Sequence, residues 1–376
     1  MSFWHNLPQP IIGLAPMDGV TDPAFRKIVA THGGPDVVFT EFTNVNDIFQ
    51  NRQMGWDGFR YSECEHPIVA QVYGKDPRRF YQAAHVIGEL GFDGLDINMG
   101  CPSKSVASSG CGAALIRTPE LALEIMAAAK QGLQDWASGQ NLWEAGLKPS
   151  VIETVREMNL VRTGNPMAVH HRAIPLSVKT RLGYEDNVIA EWSASLIQGT
   201  PDVISIHGRT LEQMYRGSAD WDAITLATTL IRKHGIMVLG NGDVRSLREA
   251  VLRIQTSGVD GVLIGRAALG NPWLFNGKDR LREAIQHGRA IPDEQAIPLA
   301  QRFQMTLHHA KLFEDLNDLA RFPRMRKHLG WYCTGFPHAA PMRVRMVRTT
   351  CAADVEAVLQ EYWVQQGFSQ PMALAG

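Results

Sequence analysis

The sequence predicts a (β/α)8 TIM barrel followed by a small C-terminal α-helical domain. Three observations carry this. Eight short apolar runs each end in glycine or a polar residue, helix-length segments separate them, and strand-like runs stop beyond Phe275. Apolar β-branched runs alternating with helices mark parallel βαβ units, and eight in succession predict a closed barrel.

In chain order the runs occupy residues 11–17, 37–42, 68–74, 94–100, 176–182, 203–209, 236–242 and 261–267. Helix starts support the alternation. Asp22-Pro23, Asp76-Pro77 and Thr118-Pro119 each put a capping residue before a proline at the first helical position. One interval is long, because roughly 75 residues separate the fourth run from the fifth. After a helix over about 119–134, residues 135–175 read as an insertion with its own helix over 149–158. A helix-to-strand connection lies on the face of the barrel opposite the active site, so the insertion is expected to serve stability or a partner contact. The barrel is assigned to residues 1–285 and the helical domain to 293–376, with helical stretches at 298–313, 321–333 and 353–367.

Composition excludes several classes. With 45% hydrophobic and 20% charged residues in 376, the chain reads as soluble and globular. No apolar run approaches the roughly 18–20 residues needed to span a bilayer. The N-terminus MSFWHNLPQP lacks the basic and apolar regions of a signal peptide. The five cysteines are odd in number and form no CxxC pair, which argues against a disulfide framework or structural zinc and for a reducing cytoplasm. A net charge of −1 excludes a general nucleic-acid binder, so any RNA contact must be a local basic patch.

Barrel chemistry comes from the carboxyl ends of strands. Those ends hold Met17, Asp18, Glu41, Gln71, Asn98 to Cys101, Lys179, His207, Asn241 to Asp243, Gly265 and Arg266. GNGD and IGRA put glycines at strands seven and eight, where backbone N–H groups commonly bind phosphate, and Arg266 adds a cationic fork. Lys179 lies inside an apolar strand. It suits either a desolvated amine for Schiff-base chemistry or a cation facing a reduced flavin. The amides of Gln71 and Asn98 fit the second reading, since a flavin edge alternates donors and acceptors. His207 is either a core histidine or a phosphate or substrate contact, and HGR at a strand end favours contact.

Cys101 falls in MGCPSK, just past the fourth run. A loop position beside Pro102 and Lys104 predicts an accessible thiol rather than a buried small hydrophobe. With an ordinary pKa of about 8.5 it would stay protonated at neutral pH and could act as a general acid. Cys111, in a Gly-rich stretch, reads as structural, and no metal site is expected. Between Leu319 and Ala353 the chain has seven Arg or Lys and no Asp or Glu, interleaved with Trp331 and Tyr332. Such a run is either a solvated face or a phosphate-tracking surface, and the aromatic residues favour the latter.

The motifs APMDGVTDPAFR, QVYG, DINMGCPSKSV, GCGAALI, VKTRLGY, ISIHGRT, GNGD, LIGRAALGNPWLF and KHLGWY, in this order, resemble the bacterial tRNA-dihydrouridine synthases. The resemblance covers about residues 11–275 plus the helical-domain motif. It implies one FMN contacted by Pro16, Met17, Asp18, Gln71, Lys179, Asn241, Gly242, Asp243, Gly265 and Arg266, with His207 close to it. It implies Cys101 as proton donor, NADPH as reductant, and hydride passing from flavin N5 to C6 of a tRNA uridine, most naturally in the D-loop, while C5 is protonated. Asn98, Arg321, Arg324, Arg326 and Lys327 are assigned to the substrate. The expected partner is tRNA, with neither DNA nor membrane involved, and the chain is read as a cytoplasmic monomer.

Two departures stand out. The 135–175 insertion is longer than the family usually has, and at Asp18 only the backbone is a secure contact. Three alternatives compete: an FMN barrel acting on a small molecule of dihydroorotate or enone type, a Lys179-dependent aldolase, and an RNA-binding protein with an inactive barrel. No dinucleotide fingerprint is present, which fits a nicotinamide that visits and leaves.

Overall fold

The computed structural model describes residues 2–167, 170–214, 216–290 and 296–367, without the side chains of Met54, Lys104 and Ser105. The expected domain limits at 293 and 376 lie outside the described residues.

The eight runs form eight parallel strands of a nine-stranded sheet, whose extra two-residue strand, Thr43–Asn44, pairs in parallel with Val72 and Tyr73. The eight are β1 (Ile11–Leu14), β2 (Val38–Phe39), β3 (Ile68–Tyr73), β4 (Gly94–Met99), β5 (Leu176–Arg181), β6 (Val203–His207), β7 (Met237–Asn241) and β8 (Gly261–Ile264). Each pairs with its sequence neighbour from β2 to β8, and β8 pairs with β1. Leu14 N–H to Val37 O (2.9 Å) and Asp36 N–H to Ile12 O (3.0 Å) join β1 to β2 and close the ring. The predicted barrel is therefore the observed one.

The barrel interior changes character from bottom to top. Trp4, from the turn Phe3–Asn6, packs with Ile11, Val37, Phe39, Val69, Val203, Leu239 and Leu263 at the amino ends of the strands. One step up sit Gln71, Asp96, Ser177 and Ser205, all buried. In the register Asp96 faces Ser177 and Asn98 faces Lys179, so the inward-facing residues become polar toward the carboxyl ends.

Helices cover the outside: α1 (Pro23–Gly33), α2 (Pro77–Glu89), α3 (Pro119–Ala137), then α4 (Pro149–Thr163) inside the insertion. Asp22 and Asp76 cap as expected, accepting from Phe25 N–H and Arg78 N–H at 3.0 Å each. Thr118 holds the N-cap position but makes no side-chain cap bond. The helix α4 runs beyond Met158 to Thr163, where Gly164 turns left-handed at φ 74°. Asn159 and Arg162 of α4 donate to the carbonyls of Glu89 and Leu90 (2.9 and 3.0 Å), in the connection that enters β4 from below. Gln82 on α2 reaches the carbonyl of Gly146 (2.9 Å). The insertion thus embraces α2 and the lower rim, away from the strand ends. Helices α5 (Ile189–Gln198), α6 (Trp221–Ile231), α7 (Leu247–Ser257) and α8 (Lys278–His287) complete the ring.

Four further helices follow: α9 (Leu299–Leu316), α10 (Arg326–Tyr332), α11 (Ala339–Met346) and α12 (Ala352–Gln365). Their own core includes Phe303, Leu307, Phe322, Leu329, Met346, Val355 and Leu359. The stretch expected as one helix over 321–333 is split, because a 3-10 turn containing Pro323 occupies Leu319–Met325 before α10 begins. The helix α11 lies outside the stretches expected as helical, and Pro341 fits its first turn, where no intrahelical N–H bond is lost. Ala24 of α1 joins this core, and Ile28, Trp273, Met305 and Tyr332 form a seam between the two parts. Among the described residues no helix is long and apolar enough to cross a membrane.

Candidate active site

A cleft of about 950 Å3 opens at the carboxyl ends of the strands. The turn after β1 contributes Pro16, Met17 and Asp18, and β3 and β4 contribute Gln71, Asn98 and Cys101. Lys179 and His207 come from β5 and β6, while Asn241, Gly242, Asp243, Gly265 and Arg266 come from the ends of β7 and β8. Every residue singled out on the barrel for catalysis or cofactor contact therefore lines one cavity.

The floor is tightly bonded. Lys179 Nζ donates to Asn241 Oδ1 (3.3 Å), and Asn241 Nδ2 donates to Leu263 O (2.8 Å). Burial and the nearby Arg181 lower the Lys179 ammonium to about 8, with Asp96 opposing the drop. The same cations, added to its own burial, hold His207 well below its ordinary value, so its imidazole is neutral at pH 7. Asp243 sits at φ 52° and accepts from Arg266 (2.9 Å) on one oxygen, and from Arg209 (2.6 Å) and Ala219 N–H (2.8 Å) on the other. Its burial raises the carboxyl, but these bonds outweigh it and keep Asp243 below the usual range. Asp243 therefore positions two arginines and has little left to offer a ligand. Gly242 is required where it stands: its φ is 128°, and a Cβ would lie 2.7 Å from Ala219 Cβ and 3.1 Å from His207 Cδ2.

Cys101 departs from expectation. Its residue is only 6% exposed, packed with Val106 and Cys111, although it lines the cleft. The loop is buried because three groups fasten it. Asn98 Oδ1 accepts from Gly100 N–H (3.1 Å) and Cys101 N–H (2.8 Å), Arg181 Nε donates to Gly100 O (2.6 Å), and Thr180 Oγ1 donates to Met99 O (3.2 Å). Burial raises the thiol above its ordinary value, which keeps it protonated. Cys111 is buried beside it, in accord with a structural part. Among the described residues no cluster suited to a metal ion occurs.

The basic run of the helical region is divided by the structure. Arg321 pairs with Asp57 (2.5 Å), Arg326 Nε donates to Thr349 O (2.9 Å), Arg343 donates to Cys333 O (2.6 Å), and Arg345 pairs with Glu361 (2.5 Å). Arg324 and Arg348 are exposed, and neither has an ion pair among the described residues. Lys327 approaches the Asp18–Gly19 turn, where its charge opposes the upward pull of burial on Asp18. Trp331 lines the cleft, so the helical region supplies part of its wall. Tyr332 does not offer a stacking face. It is 3% exposed, and His309 Nδ1 meets its hydroxyl at 3.2 Å.

The residues expected from sequence leave out several that line the cleft, among them Arg181, Arg209 and Phe42. Arg181 and Arg209 stand two residues after Lys179 and His207, and period-two alternation would have turned them inward too. Phe42 carries no such signal, and Trp331, read in the sequence as part of a phosphate-tracking surface, borders the cleft.

Residues 13–135 and 156–366 match the family described as Dihydrouridine synthase (Dus), and the unmatched 136–155 fall inside the insertion. The "Probable tRNA-dihydrouridine synthase 2" of Bacillus subtilis (strain 168) is 32% identical over 96% of this chain and 96% of its own length. The "Probable tRNA-dihydrouridine synthase" of Staphylococcus aureus (strain Mu50 / ATCC 700699) is 30% identical over 97% and 96% respectively. Among solved structures, DHODH in complex with ferulenol from Eimeria tenella aligns with a TM-score of 0.47 at 14% identity, covering 74% of this chain and 82% of that one. With family motifs and near full-length relatives in agreement, this chain belongs to the dihydrouridine synthase family of oxidoreductases.

Proposed function

We propose that the protein reduces specific uridines of tRNA to 5,6-dihydrouridine, using FMN held in the cleft and NADPH as the reductant. The observation that carries this is a fastened, protonated thiol facing the same cavity as an anion-receptive strand end. The residues fit FMN. Lys179, Arg181, Arg209 and Arg266 crowd one cleft, and a bound phosphate would balance them. Gly265 keeps the approach open, since a Cβ there would lie 3.2 Å from Met17 Sδ. Pro16, Met17, Asp18, Gln71, Lys179, His207, Asn241, Gly242, Asp243, Gly265 and Arg266 would hold it, with Asp243 acting through Arg266. A flavin held there would supply the hydride that C6 of uracil accepts.

This chain's residues do the rest. Cys101 gives its S–H proton to C5 on the other side of the same double bond, and the thiolate is reprotonated from solvent. A thiol raised by burial suits donation rather than nucleophilic attack, because its proton is present at the working pH. Lys179 places its ammonium in the cleft, where it would stabilise negative charge on a bound flavin. Asn98 and Trp331 border the substrate side, and Arg321, Arg324, Arg326 and Lys327 are assigned to the tRNA backbone. A D-loop uridine is the proposed target, and the working form is taken as a cytoplasmic monomer.

The test is spectroscopic. Purified protein should retain FMN, lose its yellow absorbance on adding NADPH, and regain it on adding tRNA that lacks dihydrouridine. Reoxidation by a small enone but not by tRNA would replace this reading with a small-molecule reductase. A protein that takes up no FMN would end it.

A further inference from the structure

Beneath the cleft, a chain of hydrogen bonds runs from a fully buried carboxylate to the loop of Cys101. Asp96 is 0% exposed. Its Oδ1 accepts from Ser177 Oγ at 2.6 Å and its Oδ2 accepts from Gln71 Nε2 at 2.7 Å. Gln71 Oε1 in turn accepts from Asn98 Nδ2 at 2.9 Å, and Asn98 Oδ1 accepts from the N–H groups of Gly100 and Cys101.

The direction of this chain is set at its two ends: the N–H groups of Gly100 and Cys101 can only donate to Asn98, and Asp96 decides whether Gln71 can stay turned to match them. An amide side chain can turn over and exchange its donor and acceptor ends, but an ionised carboxylate only accepts. With Asp96 in place, Gln71 must point its NH2 downward and its oxygen toward Asn98. Asn98 must then point its NH2 toward Gln71 and its oxygen toward the loop. Were the relay reversed, an NH2 group of Asn98 would face two backbone N–H groups. Those buried donors would lose their acceptor, at the cost attached to any unsatisfied buried group.

We propose that Asp96 is a positioning residue that fixes the polarity of Gln71 and Asn98 and thereby holds Cys101 at the cleft. Gln71 keeps one N–H that this chain of bonds does not use. The consequence for catalysis rests on the proposed roles of Cys101 and Gln71, whereas the relay itself does not. Asp96 lies too deep to touch a substrate, and it acts through two amides.

The test reverses the relay. In Asp96→Asn the new amide can keep its oxygen toward Gln71, with Ser177 accepting from its NH2, so the original direction survives. In Asn98→Asp, one oxygen of the new carboxylate still serves the loop but the other faces Gln71 Oε1, and Asp96 prevents Gln71 from turning. In the double variant Asp96→Asn/Asn98→Asp, Gln71 can turn over and every pair is a donor with an acceptor again. The readout is iodoacetamide alkylation of Cys101 in the FMN-loaded protein without tRNA, resolved by peptide mass spectrometry from the other cysteines. FMN affinity by fluorescence quenching is the second readout.

Asp96→Asn should alkylate within about threefold of the unaltered protein, and Asn98→Asp should alkylate at least tenfold faster. The double variant should return to within about threefold, with FMN affinity following the same order. A double variant no better than Asn98→Asp alone would overturn the proposal, as would an Asn98→Asp variant with unchanged alkylation. Should Asn98→Asp fail to fold, recovery of folded, slowly alkylated protein in the double variant supports the relay, and failure of both overturns it. Alkylation that follows this pattern in a protein unable to reduce tRNA would leave the relay standing and remove the proposed function instead.

Discussion

The Cys101 loop and the basic face of the helical region are built on opposite plans. Around Cys101, the inward-facing polar groups from Asp96 to Gly100 are bonded to a neighbour, and the thiol is nearly closed off from solvent. On the helical face, Arg324 and Arg348 stand in solvent, with others of the run held only at one end. Proton transfer demands fixed geometry, because a misplaced donor loses its advantage over water. Tracking a phosphate backbone demands mobile, hydrated charges that release counterions. Under the proposed function, one chain would satisfy both by putting the chemistry on strand ends and the charges on short helices.

If the contrast is right, the largest effect belongs to the thiol. Cys101→Ala should lower kcat by about 10²–10⁴, the usual share of a general acid, while FMN affinity changes little. Single-turnover reoxidation by tRNA reads this, and a loss below threefold would remove Cys101 from the reaction. Next comes the anion end of the cleft. Arg266→Ala removes a charge-assisted contact worth about 1.5–3 kcal/mol, so FMN should bind roughly ten- to a hundredfold more weakly in a fluorescence titration. Undiminished affinity would move the phosphate elsewhere.

The helical face should respond in smaller steps. Arg324→Ala, Lys327→Ala and Arg348→Ala should each weaken tRNA binding and reduce the slope of log affinity against log salt by about 0.7–0.9. Arg345→Ala, whose partner is Glu361, should change the slope less. Equal slopes for all four would erase the distinction between solvated and engaged arginines.

The smallest effect is on stability. Glu41 at the end of β2 is raised to about 7 from an ordinary 4.5, first by burial and then by Asp22. Folding favours its neutral form, so its contribution is complete below about 4.5 and is lost as pH rises through about 7. Glu41→Gln should therefore melt a few degrees above the unaltered protein at pH 8 and show no gain at pH 4. A gain at pH 4 alone would reverse the assigned sign.

Much of this was legible in the sequence, for identifiable reasons. Buried parallel strands leave apolar runs that no other element mimics, so β1 to β8 could be read directly. Their carboxyl ends could be read too, because Lys179, Asn98 and Asn241 are polar residues inside or just after apolar runs. What escaped depends on contacts distant in sequence. Cys101 was expected to be accessible, and only the fastening by Asn98 and Arg181 reveals why it is buried. The sequence reads Trp331 and Tyr332 alike, yet Trp331 borders the cleft while Tyr332 turns to His309. The separation of engaged from solvated arginines likewise requires partners such as Asp57 and Glu361, which lie well outside the run.

The fastened thiol and the cleft are proposed to act together in reducing a tRNA uridine. Mass spectrometry of tRNA from a dihydrouridine-deficient strain, incubated with the protein and NADPH, tests this most directly. The expected result is a gain of two hydrogens confined to a specific uridine and abolished by Cys101→Ala. A tRNA of unchanged mass, from a flavin-loaded protein that NADPH bleaches, would contradict it.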